Sequence, residues 1–120
     1  MAHILVVEDN QTNLDMMTYL LKSFGHSYVI ALTGPEALLA LRAERVDLVM
    51  CDLQLPGLDG YAVVQQARKD GHTGPMVAVS SFAMVGDREK ALAAGFDAYI
   101  AKPIDPERFL GQLDEIMKQN

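Results

Sequence analysis

Five short apolar runs rich in β-branched residues recur along the chain, and a stretch with helical spacing follows each of them. The runs are HILVV at 3–7, SYVIA at 27–31, VDLVMC at 46–51, PMVAVS at 75–80 and DAYIA at 97–101. Short apolar runs of this kind are typical of strands that are buried on both faces of a sheet. The sequence therefore predicts five strand–helix units.

The helices are marked by their ends and by their apolar stripes. The stripe of the first helix is predicted to stop at Gly25 and to consist of Leu14, Met17, Leu21 and Phe24. Thr33 to Glu36 has the form of a capping box and predicts a helix through Arg42. Asp105 and Pro106 predict the start of the last helix, whose inward residues are expected to be Phe109, Leu110, Leu113 and Met117.

Strict alternation of strands and helices favours a parallel sheet, because parallel neighbours need crossover connections and these are right-handed. We predict a doubly wound α/β fold with helices on both faces of a five-stranded sheet. The common order for five strands is 2-1-3-4-5, and ligands then bind outside the carboxyl ends of strands 1 and 3. The 120 residues contain no linker or repeat, so one domain over 1–120 without an output domain is expected.

Polar and charged side chains follow four of the five strands at that carboxyl edge. Strand 1 is predicted to end in Glu8 and Asp9, and strand 3 to end in Asp52. Ser80 ends strand 4, and Lys102 follows strand 5. Because neighbouring strands lie about 5 Å apart, the three carboxylates are expected to crowd together with the lysine close by.

Three carboxylates beside one ammonium repel one another unless a hard divalent cation relieves them. Mg²⁺ suits a site of few carboxylates that leaves room for waters and a phosphate oxygen. Ser80 and Lys102 would then face the metal-bound Asp52, an arrangement that suits a visiting phosphoryl group. The residues therefore predict Asp52 as a nucleophile that forms an aspartyl phosphate.

Charge and composition narrow the remaining classes of function. The net charge of −6 and the pI near 4.8 argue against a surface that binds nucleic acid or anionic membranes. The single cysteine, Cys51, lies in an apolar run and indicates a reducing compartment without an internal disulfide. The start MAHILVVEDN fits neither a signal peptide nor a membrane span, so a cytoplasmic location is expected. His3, His26 and His72 have no ligand spacing and are expected to be structural or solvated.

Three segments carry a resemblance that extends over essentially the whole chain: ILVVEDN, DLVMCDLQLPGLDG and PMVAVSSFAMVGDREKALAAGFDAYIAKPI. They resemble the receiver domain of two-component response regulators, which has a flavodoxin-like (βα)5 fold. The resemblance implies that Asp52 is the phosphoacceptor and that Lys102 binds the phosphate. It also implies that Glu8 and Asp9 are the acidic pair. Ser80 is implied as the switch hydroxyl and Tyr99 as the switch aromatic residue.

Three further expectations rest on the resemblance alone. The backbone carbonyl of Gln54 is implied as the third protein ligand of Mg²⁺, and the Lys102–Pro103 peptide bond is implied to be cis. Gln54 and Phe82 occupy positions that set the dephosphorylation rate in such domains. A bulky Phe82 is expected to shield the phosphoryl group from water.

Signalling is expected to run from Asp52 to a surface for partners. Phosphorylation would draw Ser80 toward the phosphoryl group on Asp52, and Tyr99 could then turn inward to fill the vacated space behind strand 4. The resemblance implies that the altered face comprises the fourth helix (about 84–94), strand 5 and the fifth helix, and that it controls binding of a downstream protein target. The phosphodonor is expected to be a histidine kinase or a histidine phosphotransfer protein. It is expected to dock against the first helix, around Asn13, Leu14 and Met17, and against the loop at Pro103. No enzymatic activity beyond phosphorylation and dephosphorylation of the chain itself is expected.

Several alternatives stay open at this level. The acidic pair and Asp52 could be ordinary cap and turn residues, with Asn10 capping the first helix. A flavin carrier shares the fold, but the acidic EDNQTN loop would repel its phosphate. An aspartyl phosphatase needs a general acid two residues after the nucleophile, where this chain has Gln54. A receiver-like module that never carries phosphate is the third alternative, and either a stand-alone regulator or part of a hybrid kinase is compatible with the sequence.

Overall fold

The chain alternates five strands and five helices in the computed structural model, which describes residues 2–81 and 86–118. The strands are β1 (His3–Val7), β2 (Ser27–Ala31), β3 (Leu48–Asp52), β4 (Met76–Ser80) and β5 (Ala98–Ala101). The helices are α1 (Gln11–Ser23), α2 (Gly34–Ala43), α3 (Gly60–Lys69), α4 (Asp87–Ala94) and α5 (Pro106–Lys118). All strand pairs are parallel, and the order is β2-β1-β3-β4-β5. The predicted fold class and strand order are confirmed.

Strand β3 is shifted relative to the run that predicted it, because it begins at Leu48 and includes Asp52. Asp47 instead belongs to the connection that precedes β3, where its backbone N–H donates to the carbonyl of His3 at 2.7 Å. Asp52 pairs with Val79 of β4 in the ladder. The carboxylate of Asp52 is therefore carried by the last residue of the strand and not by the loop after it.

Two hydrophobic cores lie on the two faces of the sheet, because successive side chains of a strand point to opposite sides. Leu5, Val7, Val49 and Cys51 belong to the core that α2, α3 and α4 cover, which we call the α3-side core. The other core lies under α1 and α5 and includes Ile4, Val6, Leu48 and Met50. β3 and β4 are buried along their whole length, which explains their nearly continuous apolar sequences.

The predicted helix caps are present, but one residue that was predicted to lie in the core is exposed. The side chains of Asn10, Thr33 and Asp105 accept hydrogen bonds from backbone N–H groups in the first turns of α1, α2 and α5. Phe24 is 59% exposed, so its predicted place in the inward stripe of α1 is wrong. The helix ends at Ser23, and Leu20 is buried in the stripe with Leu14, Met17 and Leu21.

Helix α4 is attached to the domain by few side chains. It begins at Asp87 after Gly86, which has a φ of 91° and no side chain that could cap the helix, and Ala91 is its buried residue. Its end at Ala94 agrees with the sequence. The predicted start near Met84 and the side chain of Phe82 lie outside the described residues.

Arg68 ties α3 to two loops at the amino end of the sheet. Its guanidinium pairs with Asp97 at 2.9 Å and also donates to three backbone carbonyls, those of His72, Gly74 and Gly95. The carbonyls lie on the connections before β4 and before β5. This network fixes the end of the molecule opposite the acidic edge. Within residues 2–81 and 86–118, no helix is long and apolar enough to cross a membrane.

Candidate functional site

The three predicted acidic residues come together at the carboxyl ends of β1 and β3. These strands are neighbours with Val7 opposite Cys51, so the residues that follow the pair lie side by side. Glu8, Asp9 and Asp52 each offer one carboxylate oxygen, and these oxygens all lie within 4.8 Å of one another. Glu8 and Asp52 are buried, whereas Asp9 is exposed.

Lys102 reaches this acidic cluster from the end of β5, across β4. Its Nζ lies 2.6 Å from Oε1 of Glu8 and 3.2 Å from Oδ2 of Asp52. Only 8% of the lysine side chain is exposed. The backbone N–H of Lys102 donates to the carbonyl of Ser80, and the Lys102–Pro103 bond is cis, as the resemblance implied.

One ammonium does not fully compensate the buried carboxylates. Burial raises the pKa of Glu8 above its ordinary value; the Lys102 ammonium works in the opposite direction, and Asp52 raises the pKa further. Burial also raises the pKa of the neighbouring Cys51 thiol, and the charges of Asp52 and Glu8 add to this rise. The thiol therefore stays protonated and is not a candidate nucleophile.

The donor set fits a hard divalent cation. All three side chains offer oxygen, and the exposed Asp9 leaves one side of the cluster open to solvent, where waters can complete an octahedral shell. Excess negative charge in a mostly buried cluster favours the binding of such an ion. Glu8, Asp9 and Asp52 are thus the side chains that could hold Mg²⁺.

Ser80 and Tyr99 lie on the same face of the sheet. Met76 and Ala78 of β4 belong to the α3-side core, and Ser80 continues their alternation. Tyr99 stands opposite Ala78 in the ladder and packs half-buried against the same core. Ser80 is almost completely buried at the end of its strand. The hydroxyl and the aromatic ring therefore occupy neighbouring strands on the side that α4 covers.

A family model of the response regulator receiver domain matches residues 4–114. The chain belongs to the receiver family. This membership places it in two-component signalling as a signalling protein, and it decides against the flavin carrier and the aspartyl phosphatase. Receiver domains interact with kinases and with downstream targets.

Relatives and solved structures agree with this assignment. The polar-differentiation response regulator DivK of Brucella anthropi is 37% identical over 109 residues, which cover 89% of each chain. The receiver domain of sensor histidine kinase PA1611 from Pseudomonas aeruginosa PAO1 is 32% identical, with a TM-score of 0.89 over 98% of both chains. Its crystal structure holds a magnesium ion coordinated in the active site cleft. A Francisella response regulator receiver domain, at 22% identity and a TM-score of 0.92 over 99% of this chain and 98% of its own, shares the fold.

Two residues that support the receiver site were not predicted from the sequence. A β-carbon at Gly60 would lie 2.5 Å from the carbonyl oxygen of Asp52 and 2.7 Å from Cα of Leu53, so α3 can begin here only with glycine. Asp59 caps this helix by accepting a hydrogen bond from the N–H of Ala62. The signal was present in the Asp-Gly pair directly before a helical stretch.

Gln54 contacts the receiver site through its backbone and through its side chain. Its N–H donates to Oδ1 of Asp52 at 3.0 Å and so orients the carboxylate. Its exposed side chain approaches Ser81, with Oγ and Oε1 3.5 Å apart. The loops after β3 and β4 therefore meet at the mouth of the site.

Proposed function

We propose that this receiver domain accepts a phosphoryl group on Asp52 from a phosphohistidine of a histidine kinase or histidine phosphotransfer protein. The observation that carries the proposal is the meeting of three carboxylates and one buried ammonium at a single sheet edge. The relatives are response regulators, in agreement with this role. The cytoplasm, where histidine kinases present their phosphohistidine, is the compartment that the proposal requires.

In the proposed reaction, an oxygen of Asp52 attacks phosphorus in line with the bond that breaks. A new P–O bond forms, the P–N bond to the imidazole breaks, and its electron pair leaves with the imidazole, which is protonated by solvent. The N–H of Gln54 and the ammonium of Lys102 orient the carboxylate. Lys102 and the Ser80 hydroxyl are proposed to neutralise charge on the phosphoryl oxygens.

Mg²⁺ is the proposed cofactor, held by Glu8, Asp9 and Asp52 together with the backbone carbonyl of Gln54. When bound, it would supply positive charge to the oxygens of the transferred group. Gln54 and Phe82 are proposed to set the lifetime of the aspartyl phosphate by controlling the approach of water. The lifetime in Phe82→Ala, compared with the wild type, tests the second of these roles, because an unchanged lifetime removes it.

Switching is proposed to pass through Ser80 and Tyr99 to the face formed by α4, β5 and α5, which controls the binding of a downstream protein target. Their common face of the sheet supports this route, since movement of the hydroxyl changes the space beside the ring. The sparse attachment of α4 supports a response in this helix.

The docking site expected for the phosphodonor needs a correction. Leu14 and Met17 are 3% and 1% exposed, so neither side chain can contact another protein directly. Asn13 is half-exposed and Pro103 is exposed. We therefore propose docking through Asn13, Pro103 and the outer residues of α1.

The test is to incubate the purified protein with Mg²⁺ and acetyl phosphate and to record its intact mass. We expect the wild type to gain one phosphoryl group, only with Mg²⁺, and Asp52→Asn to gain none. Asp114→Asn changes an exposed carboxylate on α5 and is the matched control, which should gain the group as the wild type does. No gain with any small phosphodonor would favour a receiver-like module that acts without phosphate.

A further inference from the structure

A lysine of α4 lies over an aromatic ring at the start of α3. Nζ of Lys90 is 4.6 Å from the centroid of the Tyr61 ring. An ammonium within about 6 Å of a ring centroid is attracted by the negative face of the ring. Lys90 is exposed and Tyr61 is half-buried, so the contact closes the outer side of the boundary between the two helices.

Tyr61 also lies near the proposed switch aromatic. Its ring packs against the α3-side core, as does the ring of Tyr99. Burial raises the pKa of the Tyr61 phenol, and the charges of Asp87 and Tyr99 raise it further, as expected for a phenol close to both groups. Tyr61 thus shares a core with the aromatic of β5 and contacts α4 through Lys90.

The contact matters because most residues of α4 are exposed, so a side chain that reaches this helix from α3 can affect its position. Among the described residues of the helix, Ala91 is the buried one. Its carboxyl end is fixed by the bond from Arg68 to the carbonyl of Gly95. The lysine contact lies near the middle of the helix, one residue before the buried Ala91. Losing it would remove one of the contacts that position the helix.

We propose that Lys90 and Tyr61 form a latch that holds α4 in the position described here, so that Tyr61 is a positioning residue for the switch. The latch rests on the proposed function, because it opposes the movement that phosphorylation of Asp52 would cause. Tyr61 follows Gly60, which touches the backbone of Asp52, so a displacement at the phosphoacceptor reaches the ring through one residue. An exposed cation–π contact changes an equilibrium between two helix positions by about two- to fivefold.

The test uses beryllofluoride, which binds an aspartate in place of a phosphoryl group and can be titrated at equilibrium with Mg²⁺. If beryllofluoride favours the released position, then releasing α4 must tighten its binding by the same factor. The variants are Lys90→Met, which removes the charge, and Tyr61→Leu, which removes the ring. Tyr61→Phe keeps the ring face and Lys69→Met removes an exposed charge of α3, so both are controls.

Two readouts separate the latch from a merely structural role. We expect Lys90→Met and Tyr61→Leu to bind beryllofluoride about two- to fivefold more tightly and to exchange the amide hydrogens of α4 faster. Tyr61→Phe and Lys69→Met should match the wild type in both. Because the chain has four tyrosines and no tryptophan, ring-labelled tyrosine gives a simple NMR spectrum in which the titration can be followed.

Other results overturn the latch. Equal affinities of wild type and Lys90→Met, with unchanged exchange in α4, would show that the contact does not restrain the helix. A similar gain in Lys69→Met would assign the effect to net charge. Failure of the wild type to bind beryllofluoride at all would instead remove the proposed phosphoacceptor function and, with it, the role of the latch in switching.

Discussion

Lys102 and Glu8 form a buried ion pair with Nζ and Oε1 2.6 Å apart, although 94 residues separate them in the chain. The same ammonium also contacts Asp52, so it occupies the space between two carboxylates that could hold a metal ion. Lys102 and Mg²⁺ therefore supply positive charge to the same oxygens. The lysine reduces the repulsion between the carboxylates in the metal-free site. For the same reason it reduces the favourable free energy of binding the metal ion.

Replacing Lys102 by alanine should separate these two effects. We expect Lys102→Ala to bind Mg²⁺ more tightly than the wild type, because the carboxylates lose their internal cation. Its phosphorylation by acetyl phosphate should be slower, because the phosphoryl oxygens lose a positive partner. Isothermal titration with Mg²⁺ and the rate of mass gain measure the two quantities. Lys22→Ala, which changes an exposed lysine of α1, is the control; weaker Mg²⁺ binding by Lys102→Ala would contradict this account.

The close approach at Gly60 predicts opposite results for two glycine substitutions. Gly60→Ala forces a β-carbon against the backbone of Asp52 and Leu53, and should lower the free energy of unfolding by roughly 1–3 kcal/mol. It should also weaken Mg²⁺ binding by displacing Asp52. Gly111→Ala adds a β-carbon with no neighbour within 4 Å inside α5, and should raise stability by about 0.5–1 kcal/mol. Urea unfolding of both variants tests the pair, and equal effects would be inconsistent with the contact at Gly60.

The arrangement of strands and the acidic cluster could be predicted because they follow from repeating patterns. Apolar runs mark buried strands, alternation with helices sets their direction, and the common order brings Glu8 beside Asp52. The alternation of apolar and helical segments does not predict the direction that the chain takes after a strand ends. Glu8 is fully buried while Asp9 is exposed, and no local feature distinguishes these adjacent acids.

Contacts between segments that are distant in the sequence could not be predicted either. Arg68 looks like any charged residue of a helix, yet its partners lie on loops up to 29 residues away. Phe24 was misplaced for the opposite reason, because helical spacing continued one residue past the end of α1. In both cases the sequence pattern is local. The environment of Phe24 depends on where α1 ends, and that of Arg68 depends on which distant loops pack beside α3.

Arg68 should be important for stability and not for chemistry. Arg68→Ala leaves three carbonyls and Asp97 without a charged donor, and should lower the free energy of unfolding by about 2–3 kcal/mol. Phosphorylation should still occur in the folded variant, because the network lies at the opposite end of the sheet. Arg42→Ala removes an exposed pair with Asp70 and should change stability little. Equal loss in both variants would argue against the network.

His72 should make stability depend on pH. Burial lowers the pKa of His72 below its ordinary value of 6.5, and the charge of Arg68 lowers it further. As pH falls below this ordinary value, the unfolded chain takes up a proton that the folded chain does not, so stability falls with falling pH. The stability difference between wild type and His72→Asn should therefore shift against the wild type between pH 8 and pH 5. Chemical unfolding across this range measures it, and parallel curves would refute the assignment.

The site draws its charged groups from the ends of β1, β3 and β5, so no shorter stretch of the chain carries a complete set. During synthesis, all three carboxylates leave the ribosome before Lys102 follows the last strand. A chain that ends before β5, or that a protease has cut there, lacks the buried Lys102, and we expect it not to accept a phosphoryl group on Asp52.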